Sequence, residues 1–181
     1  MVDVEKVEKI ITDLLIAIGE DPKRDGLIDT PKRVAKYWKE FIDYDAGKID
    51  TAFESVKADQ MVLVKNMKVW TLCEHHLLPF WTEISVGYIT RDKVLGLSKF
   101  ARIAHKHAHK LQLQEQLVSD IGNEIKAIVQ HDDVAVYGKG KHLCMLSRGI
   151  RTDGSMVTSN LSGVFRNEHE TRQEFLNLVT S

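Results

Sequence analysis

The chain is short of several things, and each shortage narrows what it does. Among 181 residues there are only two cysteines, so no network of disulfides braces it. No run of about 18 apolar residues is present to span a bilayer. The opening Met1-Val2-Asp3-Val4-Glu5-Lys6 lacks the positive start and apolar stretch of a signal peptide. There are no internal repeats and no low-complexity tract. The formal net charge is -1, which gives neither nucleic acid nor an anionic membrane surface a strong attractive field. These absences predict a cytoplasmic protein with no membrane and no nucleic-acid partner. A reducing compartment keeps both thiols free.

What is present is concentrated. Each cysteine has histidine beside it, in Cys73-Glu74-His75-His76 and in His142-Leu143-Cys144. Thiolate and imidazole both donate strongly to a borderline-soft divalent cation such as zinc. C-x-x-H wraps one turn around an ion, and strand alternation would turn His142 and Cys144 to the same face. Buried unrelated thiols, or a disulfide, are the plainer readings of two cysteines. The number of ligands decides function. Four side chains from Cys73, His76, His142 and Cys144 saturate a structural ion, whereas three leave a position for water, whose pKa falls from near 16 to about 7 on zinc. His75 and His142 are then spare imidazoles that pass protons near neutrality or orient a ligand.

With 43% apolar residues the length suits one domain with a small appendage. Val7, Ile10, Ile11, Leu14, Leu15 and Ile18 recur at helical spacing before Gly19, and Thr30-Pro31 reads as cap and first residue of a second helix through Ile42. The two are expected as an antiparallel hairpin over 1–44, followed by a connector over 45–60. In 61–181, strands are expected over Met61–Leu72 and Thr82–Ile89. Helices are expected from Ser98 to about His109 and from Leu113 to about Gln130. Further strands are expected over Val134–Tyr137 and His142–Ile150, with Gly138-Lys139-Gly140 as the turn, and a last helix over Glu170–Val179. The fold class is α+β.

Other chemistry-bearing residues are weaker signals singly. Gln114-Glu115 sits in a helix patterned for the core, where a carboxylate needs a partner such as two adjacent N–H donors on a planar base. Arg33 with Lys36, and Lys99 with Arg102, fall one helical turn apart, and the helix start at Ser98 offers backbone N–H groups to an anion. Arg148 follows Cys144 closely. Solvated surface charge explains any one of them. His105, His107 and His109 read as a polar face, since no cysteine or carboxylate joins them in sequence.

Taken in order, CEHHLLPF (73–80), GLSKFARI (96–103), LQLQEQL (111–117) and HLCMLSRGIR (142–151), with TPKRVAKYW (30–38), SGVF and RQEF, closely resemble GTP cyclohydrolase I from about Gly19 to Phe175. The resemblance implies a zinc enzyme that opens the imidazole ring of GTP, releases formate and recloses the product as 7,8-dihydroneopterin triphosphate. It implies Cys73, His76 and Cys144 as metal ligands, and His75 and His142 as proton-transfer residues. Gln114 and Glu115 match the residues holding guanine. Ser98, Lys99, Arg102 and Arg148 match triphosphate contacts, and Arg33 and Lys36 match basic residues reaching in from a neighbouring subunit. The implied fold is a tunnelling-fold domain, an antiparallel four-stranded sheet with paired helices, carrying an N-terminal helical hairpin. The implied assembly is a homodecamer with sites at subunit junctions.

The chain departs from the family pattern at Thr82-Glu83-Ile84-Ser85, Thr90, Gln116, Tyr137-Gly138-Lys139-Gly140 and Ser155 to Ser159, and at none of the implied catalytic positions. Two alternatives stand beside this reading. One is a zinc-stabilised nucleotide-binding or assembly module without turnover; the other is a related tunnelling-fold enzyme acting on another pterin or deazapurine.

Overall fold

Asp3 begins the first element by accepting the Lys6 backbone N–H at 3.0 Å, which satisfies one of the donors a helix start leaves free. Helix α1 (Val4–Ala17) follows. It stops where Gly19 turns to φ +86° and the Glu20 N–H reaches the Leu15 carbonyl. Helix α2 (Thr30–Ile42) starts one residue earlier than the sequence suggests: Asp29 holds the cap position, and Thr30 and Pro31 are in the first turn. The two helices pack together and bury Leu15, Ala35 and Phe41.

The computed structural model describes residues 1–54 and 59–181; of the connector expected over 45–60, residues 55–58 lie outside the described residues. The chain divides into the units Met1–Asp45 and Ala46–Ser181. Within the second unit the order is β1 (Ala52–Glu54), β2 (Met61–Cys73), β3 (Pro79–Ile89), β4 (Lys93–Leu95), α3 (Leu97–Ala108), β5 (Leu111–Gln112) and α4 (Gln114–Val129). Then come β6 (Val134–His142), α5 (Leu143–Leu146), β7 (Met156–Leu161), α6 (Val164–Asn167) and α7 (His169–Thr180). Among the described residues no helix is long and apolar enough to cross a membrane.

The main sheet has the order β5-β2-β3-β6-β7. Its β2, β3, β6 and β7 are antiparallel neighbours, and β5 adds a fifth strand, parallel to the end of β2 through Leu72↔Leu111 and Cys73↔Gln112. The four strands expected are therefore one too few. A separate ribbon pairs β1 with β4.

Two expectations around residue 140 are overturned. Gly138-Lys139-Gly140 is no turn; β6 runs straight through it, paired with β3 on one side and β7 on the other. Glycine is there because neighbours come close. A Cβ on Gly138 would lie 2.8 Å from Val118 Cγ2, and one on Gly140 would lie 2.7 Å from the Trp81 carbonyl oxygen and against Gln114 Oε1. Nor do residues 142–150 form a strand. His142 ends β6, and Leu143–Leu146 is a single helical turn whose backbone closes with Ser147 N–H to the Leu143 carbonyl. The strand that follows β6 is β7, over residues not expected to be a strand.

Both sheet faces are covered where the strands are most apolar. Ile103, Ala104, Leu117, Ile121 and Ile125 from α3 and α4 pack on Val69, Ile84, Val86 and Val136. On the other face Phe165 and Phe175 cover Ala135 and Ile89, and Gly87 admits the Phe175 ring, whose Cδ2 would lie 2.8 Å from a Cβ. Burial on both faces accounts for the unbroken apolar run at the end of β3.

Candidate active site

Cys73 is the last residue of β2 and is 4% exposed. A tight loop joins it to β3: the Leu77 N–H returns to the Cys73 carbonyl and the Cys73 N–H donates to the Leu78 carbonyl, both at 2.9 Å, with Leu77 at φ +56°. This loop carries His75 and His76, both exposed. The Cys73 end is anchored from the other side by Thr71, whose hydroxyl donates to the Lys110 carbonyl, and by Gln112, whose amide donates to Thr71 Oγ1 and to the His107 carbonyl. Lys106 and His107 are in turn tied to Glu124 of α4. The end of α3 is thereby fixed against β2, with β5 beside Cys73.

Cys144 arrives from the far end of the sequence on α5. The Cys73, His76 and Cys144 donor atoms all lie within 4.8 Å of one another, and Cys73 Sγ is 3.9 Å from His76 Nδ1. Both cysteines are free. A four-coordinate zinc with bonds of about 2.0 to 2.3 Å sets its ligands roughly 3.5 Å apart, so the trio fits a metal after a small closure. The chemistry fits also: two sulfurs and one imidazole are soft donors. Burial raises the Cys144 thiol above its ordinary value and the adjacent Cys73 sulfur adds to this, against the weaker pull of its backbone N–H and of Arg148.

His142 stands apart from this trio. Its ring stacks on Phe80, its cross-strand neighbour, with centroids 4.2 Å apart and planes 9° from parallel, and its Nε2 is 3.0 Å from Gln114 Oε1. Burial lowers its affinity for a proton, and the Glu115 carboxylate opposes that. The strand alternation expected to pair His142 with Cys144 is replaced by a strand end and a helical turn, which separate an imidazole on Gln114 from a sulfur grouped with Cys73 and His76. His75 Nδ1 lies 3.9 Å from Cys73 Sγ, on the exposed loop.

Glu115 is exposed in the first turn of α4, one residue from a wholly buried Gln114. The Gln114 amide faces protein on every side: its nitrogen is 3.0 to 3.3 Å from Thr158 Oγ1, the Met156 carbonyl and the Gly138 carbonyl, and its oxygen also accepts from Thr82. Sequence reasoning missed Phe80 as the ring under His142, and Thr82 and Thr158 as partners of the Gln114 amide. Phe80, closing the CEHHLLPF segment, was the available signal.

Within the second unit the basic residues are not gathered at one place. Arg148 is exposed near Cys144. Ser98 and Lys99 lie in the first turn of α3, with Lys99 Nζ donating to the Lys48 carbonyl and Arg102 Nη1 to the Ala46 carbonyl, both at 2.8 Å. The twelve residues of α3 put about 18 Å between that start and the end pinned near Cys73. Arg33 and Lys36, in the first unit, are exposed and paired with Asp29 and Glu40 of their own segment. His109 Nδ1 bonds the His105 carbonyl.

The family profile of GTP cyclohydrolase I matches residues 7–180. The chain belongs to the GTP cyclohydrolase I family. A protein of a Sulfurihydrogenibium species named GTP cyclohydrolase 1 is 46% identical over 183 residues, covering 100% of this chain and 97% of its own. One of the same name from Thermoanaerobacter pseudethanolicus is 42% identical with 100% and 99% covered. Another from Drosophila melanogaster is 44% identical over 93% of this chain and 53% of its own length. Likeness to GTP cyclohydrolase I proteins thus runs through both units, and includes the segments that carry Cys73, His76 and Cys144.

Proposed function

We propose that the protein is a zinc-dependent GTP cyclohydrolase I, converting GTP to 7,8-dihydroneopterin triphosphate and formate, and that its second unit is a tunnelling-fold domain. The observation that carries this is the convergence of Cys73, His76 and Cys144 from segments some seventy positions apart. Three protein donors leave room at a four-coordinate ion. Zinc held there supplies a water acidic enough to serve as nucleophile at neutral pH.

The protein's own groups do the rest. The Glu115 carboxylate accepts the two adjacent N–H groups of the guanine edge, which fixes the base so that its imidazole carbon meets the metal side of the site. His142, held flat on Phe80, exchanges a proton with a ring nitrogen as the C–N bond opens. His75, on the exposed loop after Cys73, takes part in the later proton movements that release formate and reclose the ring. Arg148 meets the triphosphate, together with Ser98, Lys99 and Arg102.

The length of α3 bears on how these are brought together. Ser98 and Lys99 lie nearly the length of α3 from its end near Cys73, which supports a site completed by another copy, with Arg33 and Lys36 from a further neighbour. The β7 strand ends the sheet order and offers an edge for a second copy to pair with. A homodecamer is the assembly proposed.

Zinc-loaded protein incubated with GTP should release formate and yield a pterin that fluoresces after oxidation. Stoichiometric zinc with neither product overturns the reading, and turnover only of another pterin or deazapurine redirects it.

A further inference from the structure

Gln114 is a wholly buried amide whose orientation its surroundings dictate. The Gly138 and Met156 carbonyls, at 3.3 and 3.1 Å from its nitrogen, can only accept; rotating the amide would set its oxygen against their lone pairs. Thr158 Oγ1, at 3.0 Å, shares the same end. The amide oxygen is therefore the atom turned to Thr82 and, at 3.0 Å, to His142 Nε2. An oxygen accepts, so Nε2 must carry hydrogen.

We infer that Gln114 is a positioning residue that fixes the tautomer of His142: its side-chain oxygen receives the Nε2 hydrogen, and Nδ1 is left as the nitrogen that exchanges protons with substrate. This rests on the function proposed above for the site. The device is assembled from three strands and a helix. Thr82 of β3, Gly138 of β6, and Met156 and Thr158 of β7 set the amide at the start of α4, while Phe80 sets the plane of the imidazole. Gly140 belongs to it too, because a Cβ there would fall on Gln114 Oε1 and 2.8 Å from Thr82 Oγ1. The guanine-holding role that the resemblance gives to both Gln114 and Glu115 then passes to Glu115, whose carboxylate is exposed. A buried amide spending both ends on protein has nothing left for a base edge.

The wrong tautomer would present N–H where the reaction needs a lone pair. Loss of such an orienting partner typically lowers activity about 10- to 100-fold. The test uses zinc-loaded protein labelled with nitrogen-15 histidine, studied by magic-angle-spinning NMR, with the His142 signal assigned by its disappearance in His142→Asn. In the wild type the signal should be that of the Nε2–H form. Gln114→Met, of similar length but without an acceptor, should mix the two forms and lower kcat by about 10- to 100-fold, with the KM for GTP within about threefold and zinc content unchanged. Gly140→Ala should disturb the tautomer as Gln114→Met does.

An Nδ1–H signal in the wild type overturns the inference, and it does so without any variant having to fold. So does an unchanged spectrum in Gln114→Met, or a raised KM with kcat preserved, which would mean that Gln114 holds the base. An Nε2–H wild type that turns over no GTP leaves the tautomer standing and removes the function proposed for the site.

Discussion

The two ends of the main sheet are built from the same strands and treat polar groups in opposite ways. At one end β2, β3 and β6 finish in Cys73, Pro79 and His142, and the donors there meet each other or stand open. At the other end Asp133 is hydrogen-bonded through both carboxylate oxygens. Its Oδ2 accepts from Arg91 Nε and Nη2 at 3.2 and 2.9 Å, its Oδ1 accepts the Val164 N–H at 3.0 Å, and Phe165 and Phe175 seal the face beside it. Packing and satisfied hydrogen bonds there stabilise the fold. The metal end gives up part of that: two sulfurs and an imidazole crowd within 4.8 Å of one another, where burial and the neighbouring sulfur both resist ionisation of Cys144. Chemistry needs groups whose interactions are incomplete without a ligand, so the two ends should respond differently to substitution.

The largest expected effect is at the metal end. Cys144→Ala should abolish turnover and weaken zinc binding by more than about 100-fold, since even a residue behind a ligand commonly costs 10- to 100-fold. Metal analysis after dialysis, alongside formate release, checks it. Retained stoichiometric zinc would erase the contrast between the ends. Next comes Phe175→Ala at the closed end, which should destabilise the folded protein by about 3–5 kcal/mol, read from the urea midpoint. The protein that remains folded should keep its zinc; loss of the metal in step would mean that the ends are not separable.

The smallest effect carries a pH signature. Burial resists ionisation of Asp133, but the Val164 N–H and the Arg91 guanidinium more than offset it and hold the carboxyl below its ordinary value. A depressed carboxyl contributes stability that is complete above its unfolded pKa of about 4 and is lost as pH falls through the lower folded value. Asp133→Asn should therefore cost about 1–3 kcal/mol at neutral pH, and the gap to wild type should shrink progressively below about pH 4. Melting curves across that range measure it, and a gap that widens in acid would reverse the sign argued here.

How much of this was legible differs between the two ends as well. The candidate donors were readable because their information is chemical, sulfur and imidazole in C-x-x-H and H-x-C having few other joint uses, but that chemistry left three or four ligands open, and the resemblance alone singled out Cys73, His76 and Cys144. The positions that shape their surroundings were not readable. Gly138 and Gly140 look like a turn to any local reading, since nothing in residues 134–142 says that a helix from elsewhere presses Val118 and Gln114 onto that strand. The segment Met156–Leu161 sets three consecutive polar residues, Thr158-Ser159-Asn160, between apolar ones with no alternation to mark it, and becomes a strand because β6 beside it needs a partner. Gln114 reads as a binding residue until its five neighbours, drawn from three strands, are in place.

By itself the sequence determined the helical periods, the apolar runs of β2 and β3, and the inventory of donors able to grip a soft cation, because these depend on residue type and on spacing within a turn or a strand. Tertiary structure alone decided that β6 runs straight, that a fifth strand lies beside Cys73, and that His142 faces an amide while Cys144 faces a thiol. Those outcomes depend on close approach between segments far apart in the chain, where one missing Cβ or one buried carbonyl settles which atoms can meet.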